Sequence, residues 1–530
     1  MRSPDLPKCR AGTGNPDRRT FLKSSVAVAA MAGTGLAALS SPVRADEPRK
    51  GGKLRLGMGH GSTTDTLDPH TLENGFQVVT AFAVTNSLTE IDTDGKLAPC
   101  IAESWEASRD AKVWTFKLRK GVEFHNGKTL TAKDVAATIN YHRKEGAKTV
   151  VKQVIAPITE IKVDDDHTLV VSLSDGNADF PFNVSVECFG IYPATEDGSL
   201  DWGSKAGSGG YTLKEFEPGV RARVEKFANY WRSDRAHVDE AEVLAIHDTA
   251  ARSNALLTGE VDAIDSVDAR LAEVLSSRSE MVVEETSGPL HYDFPMRMNV
   301  APFDDNNVRL ALKYAVDREA MLKTILRGRG RVGNDSPIGP SYRYYAAGLE
   351  QRTYDPDKAK FYLKQAGLSE LKVDLSAANA AFTGAVDTAL LFKEQARAAG
   401  IEINVVREPN DGYWSEVWNK KPWCASYWAG YPTEDFMLSA GYYSKSEYNA
   451  TAWHNDRFDA LLLAARAELN EAKRLEMYAE MQSLIRDVGG VLVPCFANDV
   501  LARNKKIAHG KLSNQRGFDG RKIIERWWVV

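Results

Sequence analysis

An α/β fold is predicted for this chain, and three observations predict it. Segments with the period-two alternation of half-buried strands recur between segments with the 3.6-residue period of helices. Turn and cap signals separate them. The alternation runs through most of the 530 residues, with no internal repeat and no low-complexity linker.

In chain order, "GGKLRLGMG" (51–59) reads as an opening strand. In "KVWTFKL" (112–118), Trp114, Phe116 and Leu118 alternate with polar neighbours, as in a strand with one buried face. Asn126-Gly127 marks a turn. "TLTAKDVAATINYH" then opens a helix, with Thr131 as cap, Asp134 three residues on, and Val135 and Ile139 on one face. "DDDHTLVVSL" (164–173) reads as a strand after an acidic turn. "NNVRLALKYAVDREAMLKTIL" (306–326) reads as two helices broken at Asp317. Residues 455–490 hold two more, the second ending at Gly489-Gly490 before the strand "VLVPCF". At about 100–200 residues per domain, the length favours two to four domains. Without linkers these must pack directly on one another, with discontinuous boundaries.

The composition, 43% hydrophobic and 26% charged, is that of a soluble globular protein. The first 45 residues carry seven basic and two acidic residues, which leaves 60 basic against 70 acidic in the remainder. That acidic balance argues against nucleic acid or an anionic bilayer as the main partner, since both require basic surface. Arg18 and Arg19 stand in "DRRTFLK", ahead of the apolar run "VAVAAMAGTGLAAL" from Val26 to Leu39. This run is shorter than the roughly 20 residues that span a bilayer. It ends at "PVRA", where Val43 and Ala45 place small side chains for cleavage before Asp46. The block resembles a twin-arginine export signal, with Asp17 in the place of the usual Ser or Thr, and implies a periplasmic protein without a lipid anchor. Cys100, Cys188, Cys424 and Cys495 follow the expected cleavage site. Four cysteines allow three pairings, among which the sequence does not choose, and buried free thiols stand beside any bridge.

Catalytic and metal signatures are absent. "GKT" at 127–129 lacks the glycine that a phosphate loop needs, since position 122 is Val122. "GMGHGS" has Ser62 at the third glycine of a dinucleotide turn. "AGSGG" (206–210) lacks the first glycine of a nucleophile elbow around Ser208, so a flexible loop is expected there. The ten histidines form no HxxxH or HxH pair. Neither a cofactor nor a metal is expected.

Seven segments follow one another at characteristic spacing. They are "GGKLRLGMG" with "TLDPH" (66–70), "LAPCIAESWEASRDAKVWTFKLRKGVEFHNGKTLTAKDVAATI" (97–139), "GSGGYTL" (207–213), "NYW" (229–231), "GEVDAI" (259–264), "MNVAPFDDNNVRLALKYAVDREAM" (298–321) and "YDPDKAKFYLKQAGL" (354–368). Together they resemble solute-binding family 5, the bacterial extracellular receptors of peptide- and nickel-type ABC importers. The resemblance covers nearly everything after residue 45, although "GSGGY" departs from the usual Gly-Thr-Gly-Pro-Tyr.

The resemblance implies a two-lobed, hinged periplasmic binding protein fold with an extra inserted domain, of the cluster C type. Domain I would comprise 46–92, 206–297 and 491–530, domain II 93–205 and domain III 298–490. The chain crossings near 297 and 490 would be the hinge. It further implies a monomeric receptor, not an enzyme, that closes on a peptide or peptide-like solute and is then recognised by an inner-membrane ABC permease with its ATPase subunits. An opine, an oligosaccharide or a metal chelate is the alternative solute. A periplasmic hydrolase using Ser208 or a carboxylate pair is a reading from another class, and a chaperone-like protein on the same fold is a third.

Dipeptide-binding members of that family hold the ligand amine with the aspartate of a Trp-x-Gly-Asp segment. The matching segment here is "WAGY", with Trp428 and Gly430 kept and Tyr431 at the aspartate's place. The arginine that those members use for the ligand carboxylate is missing from the matching stretch, 376–384. Both ends of the dipeptide clamp are therefore absent. Glu434 and Asp435 in "YPTEDF" are candidate anionic contacts instead. Residues 412–431 concentrate Trp414, Trp418, Trp423 and Trp428 with three tyrosines. Core packing accounts for some of these, and Trp414, Trp428 and Tyr431 are candidates for an aromatic ligand wall.

Overall fold

Trp114, Phe116 and Leu118 point inward from the strand Val113–Leu118 and are 5%, 0% and 2% exposed, as period-two burial requires. The computed structural model describes residues 47–530, except 73, 148, 150 and 411 and the side chains of 153 and 415. The export signal and its cleavage site lie outside the described residues.

The strand Val113–Leu118 belongs to a four-stranded antiparallel sheet, in the order Ala102–Ala107, Val113–Leu118, Thr168–Leu173, Ile158–Asp165. Asp164 and Asp165 end the last of these, so the acidic run closes a hairpin and the following strand starts only at Thr168. The helix Ala132–His142 shares a core with this sheet through Val135 and Ile139. Its start is fixed by the Asp134 carboxylate, which accepts from the Thr131 N–H at 2.8 Å and Oγ1 at 2.9 Å.

The largest sheet has nine strands collected from distant parts of the chain. Its order is Ser426–Trp428, Met281–Pro295, Val491–Asn504, Ala263–Ile264, Lys53–Met58, Glu240–Ala245, Arg221–Lys226, Tyr211–Glu217. The strand Gly330–Val332 pairs separately with Val491–Asn504. Lys53–Met58 runs parallel to both neighbours, and the other pairings are antiparallel. A parallel pair, Leu371–Ala377 and Ile401–Arg407, is connected through the helix Ala385–Ala396, which supplies the long crossover that parallel strands need.

The two longest strands, Met281–Pro295 and Val491–Asn504, pair along most of their length. At their ends the Met296 N–H donates to the Gly490 carbonyl at 2.8 Å. The chain thus enters and leaves the segment 298–490 at neighbouring points.

Two expectations about loose or linked segments resolve differently in the structure. Ser208 is fully buried, accepting from the Asn86 N–H at 3.1 Å and donating to the Ile191 carbonyl at 3.2 Å. Around it a Cβ on Gly207 would lie 2.1 Å from the Val84 carbonyl oxygen. The flexible-loop expectation is therefore wrong: the glycines are there for close approach, and the serine is a packed hydrogen-bonding group. The four cysteines are separate buried thiols. Burial pushes those of Cys100, Cys424 and Cys495 up to about 12.

Candidate ligand-binding site

The segment around Trp428 forms the short strand Ser426–Trp428 at one edge of the nine-stranded sheet, beside Met281–Pro295. The chain then turns sharply at Gly430, whose φ is +89°. A Cβ there would lie 2.2 Å from Cγ of Pro289, so glycine is required twice over. This turn swings Tyr431 back towards Trp428, with ring centroids 6.0 Å apart. The Tyr431 N–H donates to Oη of Tyr342 at 3.2 Å.

The predicted aromatics assemble into a continuous series. Tyr427 meets Trp414 at 5.6 Å, Trp414 meets Trp418 at 6.0 Å, and Trp418 meets Trp428 at 6.4 Å. Beyond Tyr431 the series ends on Phe436, stacked at 4.3 Å. Trp414 is 42% exposed and Tyr427 38%. Trp423 is different: it is buried against Phe303 and Phe392 and belongs to the core.

Glu434 and Asp435 open the helix Glu434–Gly441, capped by the Thr433 side chain, and both are buried. Glu434 Oε1 accepts from the Tyr344 N–H at 2.7 Å, and Oε2 lies 3.9 Å from Arg343. Burial pushes this carboxyl up, with Arg343 opposing. Asp435 is held by Nε of Arg466 at 2.9 Å; burial pushes its carboxyl up too, against the pull of Arg466. Asp435 also borders a cavity of about 280 Å³, lined as well by Phe436, Lys445, Asn177 and Asn183. Glu434 and Asp435 thus serve first as partners of interior arginines. Of the pair, Asp435 is the one at a cavity wall.

Two further cavities are present, one of them bordering the Tyr431 turn through Pro432. One is lined by Pro432, Glu187 and Arg516, where Arg516 Nη1 donates to both carboxylate oxygens of Glu187 at 2.8 Å. The other, about 110 Å³, is lined by Arg331, Ser341, Phe496 and Asn514. Phe436, Arg331, Ser341 and Arg516 are candidate site residues that sequence reasoning missed. Only Phe436 carried a signal, through its place beside Asp435. Among the described residues no group of three or more His, Cys, Asp or Glu is placed to hold a metal ion. No helix among them is long and apolar enough to cross a membrane.

Residues 96–450 match the bacterial extracellular solute-binding proteins, family 5 Middle. The chain belongs to this family. It is similar to the glutathione-binding protein GsiB of Pectobacterium atrosepticum, with 24% identity over 445 residues, 80% of this chain and 85% of the relative. The periplasmic oligopeptide-binding protein OppA of Escherichia coli is 25% identical, with 91% of this chain and 93% of OppA covered. Among solved structures, the periplasmic binding protein DppA from Helicobacter pylori, in complex with the peptide STSA, has a TM-score of 0.75 at 22% identity. That likeness covers 91% of this chain and 99% of DppA. The fold of the family 5 member described here is accordingly the two-lobed α/β fold of periplasmic binding proteins. The family is one of solute-binding receptors that work with ABC importers, not of enzymes.

Proposed function

We propose that this family 5 receptor captures a peptide or peptide-like solute, longer than a dipeptide or less charged, and delivers it to an ABC permease. The observation that carries the proposal is the ring series from Trp414 to Phe436, with Tyr431 in it where an amine-holding carboxylate would otherwise stand. Rings supply contact area and orientation but no counter-charge. A zwitterionic dipeptide enclosed there would leave two charges short of partners, at a cost of several kcal/mol each. A longer or less charged ligand avoids that cost. Titration calorimetry with alanine di-, tri-, tetra- and hexapeptides tests this. The longer peptides should bind more tightly than the dipeptide, and Trp428→Ala with Tyr431→Ala should weaken them at least tenfold. Micromolar binding of dipeptides that both substitutions leave unchanged would sink the reading.

The domain division given above, with a hinge at the crossings near 297 and 490, belongs to the same proposal. Seven of the nine strands of the large sheet come from 53–58, 211–295 and 491–504, which supports the division, while the short strands Gly330–Val332 and Ser426–Trp428 join that sheet from 298–490. Export through the twin-arginine route with cleavage before Asp46 also belongs to the proposal, on the basis of "DRRTFLK" and "VRA". Changing Arg18 and Arg19 together to lysine should leave uncleaved precursor in the cytoplasm. Normal periplasmic yield from the double variant would refute that route.

A further inference from the structure

Strand register relates the aromatic wall to an arginine that no motif singles out. Trp428 lies opposite His291, His291 opposite Phe496, and Phe496 opposite Arg331, across four adjacent strands. Residues directly opposite one another on neighbouring strands project from the same face of a sheet. The rings of His291 and Phe496, 5.4 Å apart, show that they do so here. Trp428 and Arg331 therefore stand in one lateral row, three strand spacings or roughly 14 Å apart.

Arg331 is exposed and lines the 110 Å³ cavity. Its neighbours in sequence are committed, Arg327 to Glu273 and Arg329 to Glu285. Among the described residues no carboxylate lies within ion-pair reach of Arg331. The same cavity holds Oγ of Ser341, which is buried without a hydrogen-bond partner. Asn514 forms part of this cavity, and its neighbours Ser513, Gln515 and Arg516 form part of the one beside Pro432. One stretch of chain, 513–516, thus borders both cavities.

We propose that Arg331, with Ser341 beside it, receives a carboxylate of a linear peptide whose other end lies against Trp428 and Tyr431. This rests on the peptide reading above and gives it a length. At about 3.4 Å per extended residue, roughly 14 Å corresponds to about four residues. The planar guanidinium offers two parallel N–H donors to a carboxylate, which a lysine cannot reproduce. It also supplies the cation that is missing from 376–384, from a different place in the fold.

The carboxylate is either the peptide's C-terminus or an acidic side chain, and one calorimetric experiment separates the two. Alanine peptides of two to six residues are compared as free acids and as C-terminal amides, together with amidated tetrapeptides that carry glutamate at the last position. On the wild type, the free-acid tetrapeptide should bind most tightly and amidation should weaken it at least tenfold. Arg331→Gln should abolish that difference, and Arg331→Lys should restore only part of it. Recovery by the glutamate-bearing amide assigns the site to a side-chain carboxylate, and no recovery assigns it to the C-terminus. Equal binding of acid and amide by the wild type, or a preference that survives in Arg331→Gln, would overturn this site and leave the peptide reading standing. A wild type that binds none of the peptides overturns the peptide reading, and this site with it. Arg331→Gln should melt at the wild-type temperature, because the side chain is exposed and has no ionic partner to lose.

Discussion

Asp293 stands on Met281–Pro295 directly opposite Ser426, two residues from Trp428, and is 2% exposed. Burial pushes its carboxyl up to about 7, against the nearby polar side chains of Ser426 and Trp428. In the unfolded chain such a carboxyl ionises near its ordinary value of about 3.9. The folded state therefore holds a proton that the unfolded state has already released between those two values. The stability this contributes is complete below about pH 4 and is lost as pH rises through about 7. Replacing Asp293 by asparagine keeps the shape and removes the titration. Thermal melts at pH 5 and pH 8 should show a wild type that loses stability relative to Asp293→Asn at the higher pH, by an amount on the order of 2–4 kcal/mol. His291, pushed down to about 4 by its burial, contributes with the opposite sign, so the difference between wild type and variant is the quantity that decides. Parallel pH profiles for the two proteins would refute the assignment. The cluster also shows how the site is supported: the wall residue Trp428 is placed by a strand whose next inward group is a buried acid.

At the scale of elements, what was legible in the sequence is what local chemistry decides. The break at Asp317 is a cap: its side chain accepts from the Ala320 N–H at 2.9 Å and starts the helix Arg318–Thr324. The pair Asp456–Ala467 and Glu471–Val488 is delimited in the same way by Asn455 and Asn470. The aromatic wall was legible because most of its rings come from twenty consecutive residues. The roles of Glu434 and Asp435 were not, because their partners Arg343, Tyr344 and Arg466 lie tens of residues away in sequence and meet them only in the folded chain. Arg331 was illegible for a stricter reason. Its relation to Trp428 exists only through the register of three strand pairings, two of them involving the strand Val491–Asn504. Ser208 was misread because glycine-rich sequence marks flexibility and close approach alike. Only the position of the Ala83–Val84 backbone tells the two apart.

The whole molecule must open and close if it is to take up and release a solute, and one buried ion cluster joins two stretches that the proposed division assigns to different domains. Asp179, in the stretch read as domain II, is fully buried. Both its oxygens are held by Arg474, at 3.1 and 2.6 Å, and one also by Arg343 at 2.7 Å. Both arginines belong to 298–490, which the chain enters and leaves at the neighbouring crossings. Next to them the Ala178 N–H donates to the Arg466 carbonyl at 2.7 Å. Burial alone would raise the Asp179 carboxyl, but Arg474 and Arg343 outweigh it and hold it below the usual range. Such a pair is tight only while both sides are present, and removing one partner from a buried pair costs about 3–5 kcal/mol. In a hinged receptor that cost falls on the closed form, because opening returns the arginines to water. Asp179→Asn should therefore shift the population towards the open form, at a tenfold change in the ratio for every 1.4 kcal/mol or so. X-ray scattering with saturating tetra-alanine should show the wild type contracting and Asp179→Asn keeping a larger radius of gyration. Its apparent dissociation constant should be at least tenfold higher, since the binding-competent state is less populated. A variant that contracts as the wild type does, with unchanged affinity, would show that this cluster only packs two segments together and does not hold the lobes shut.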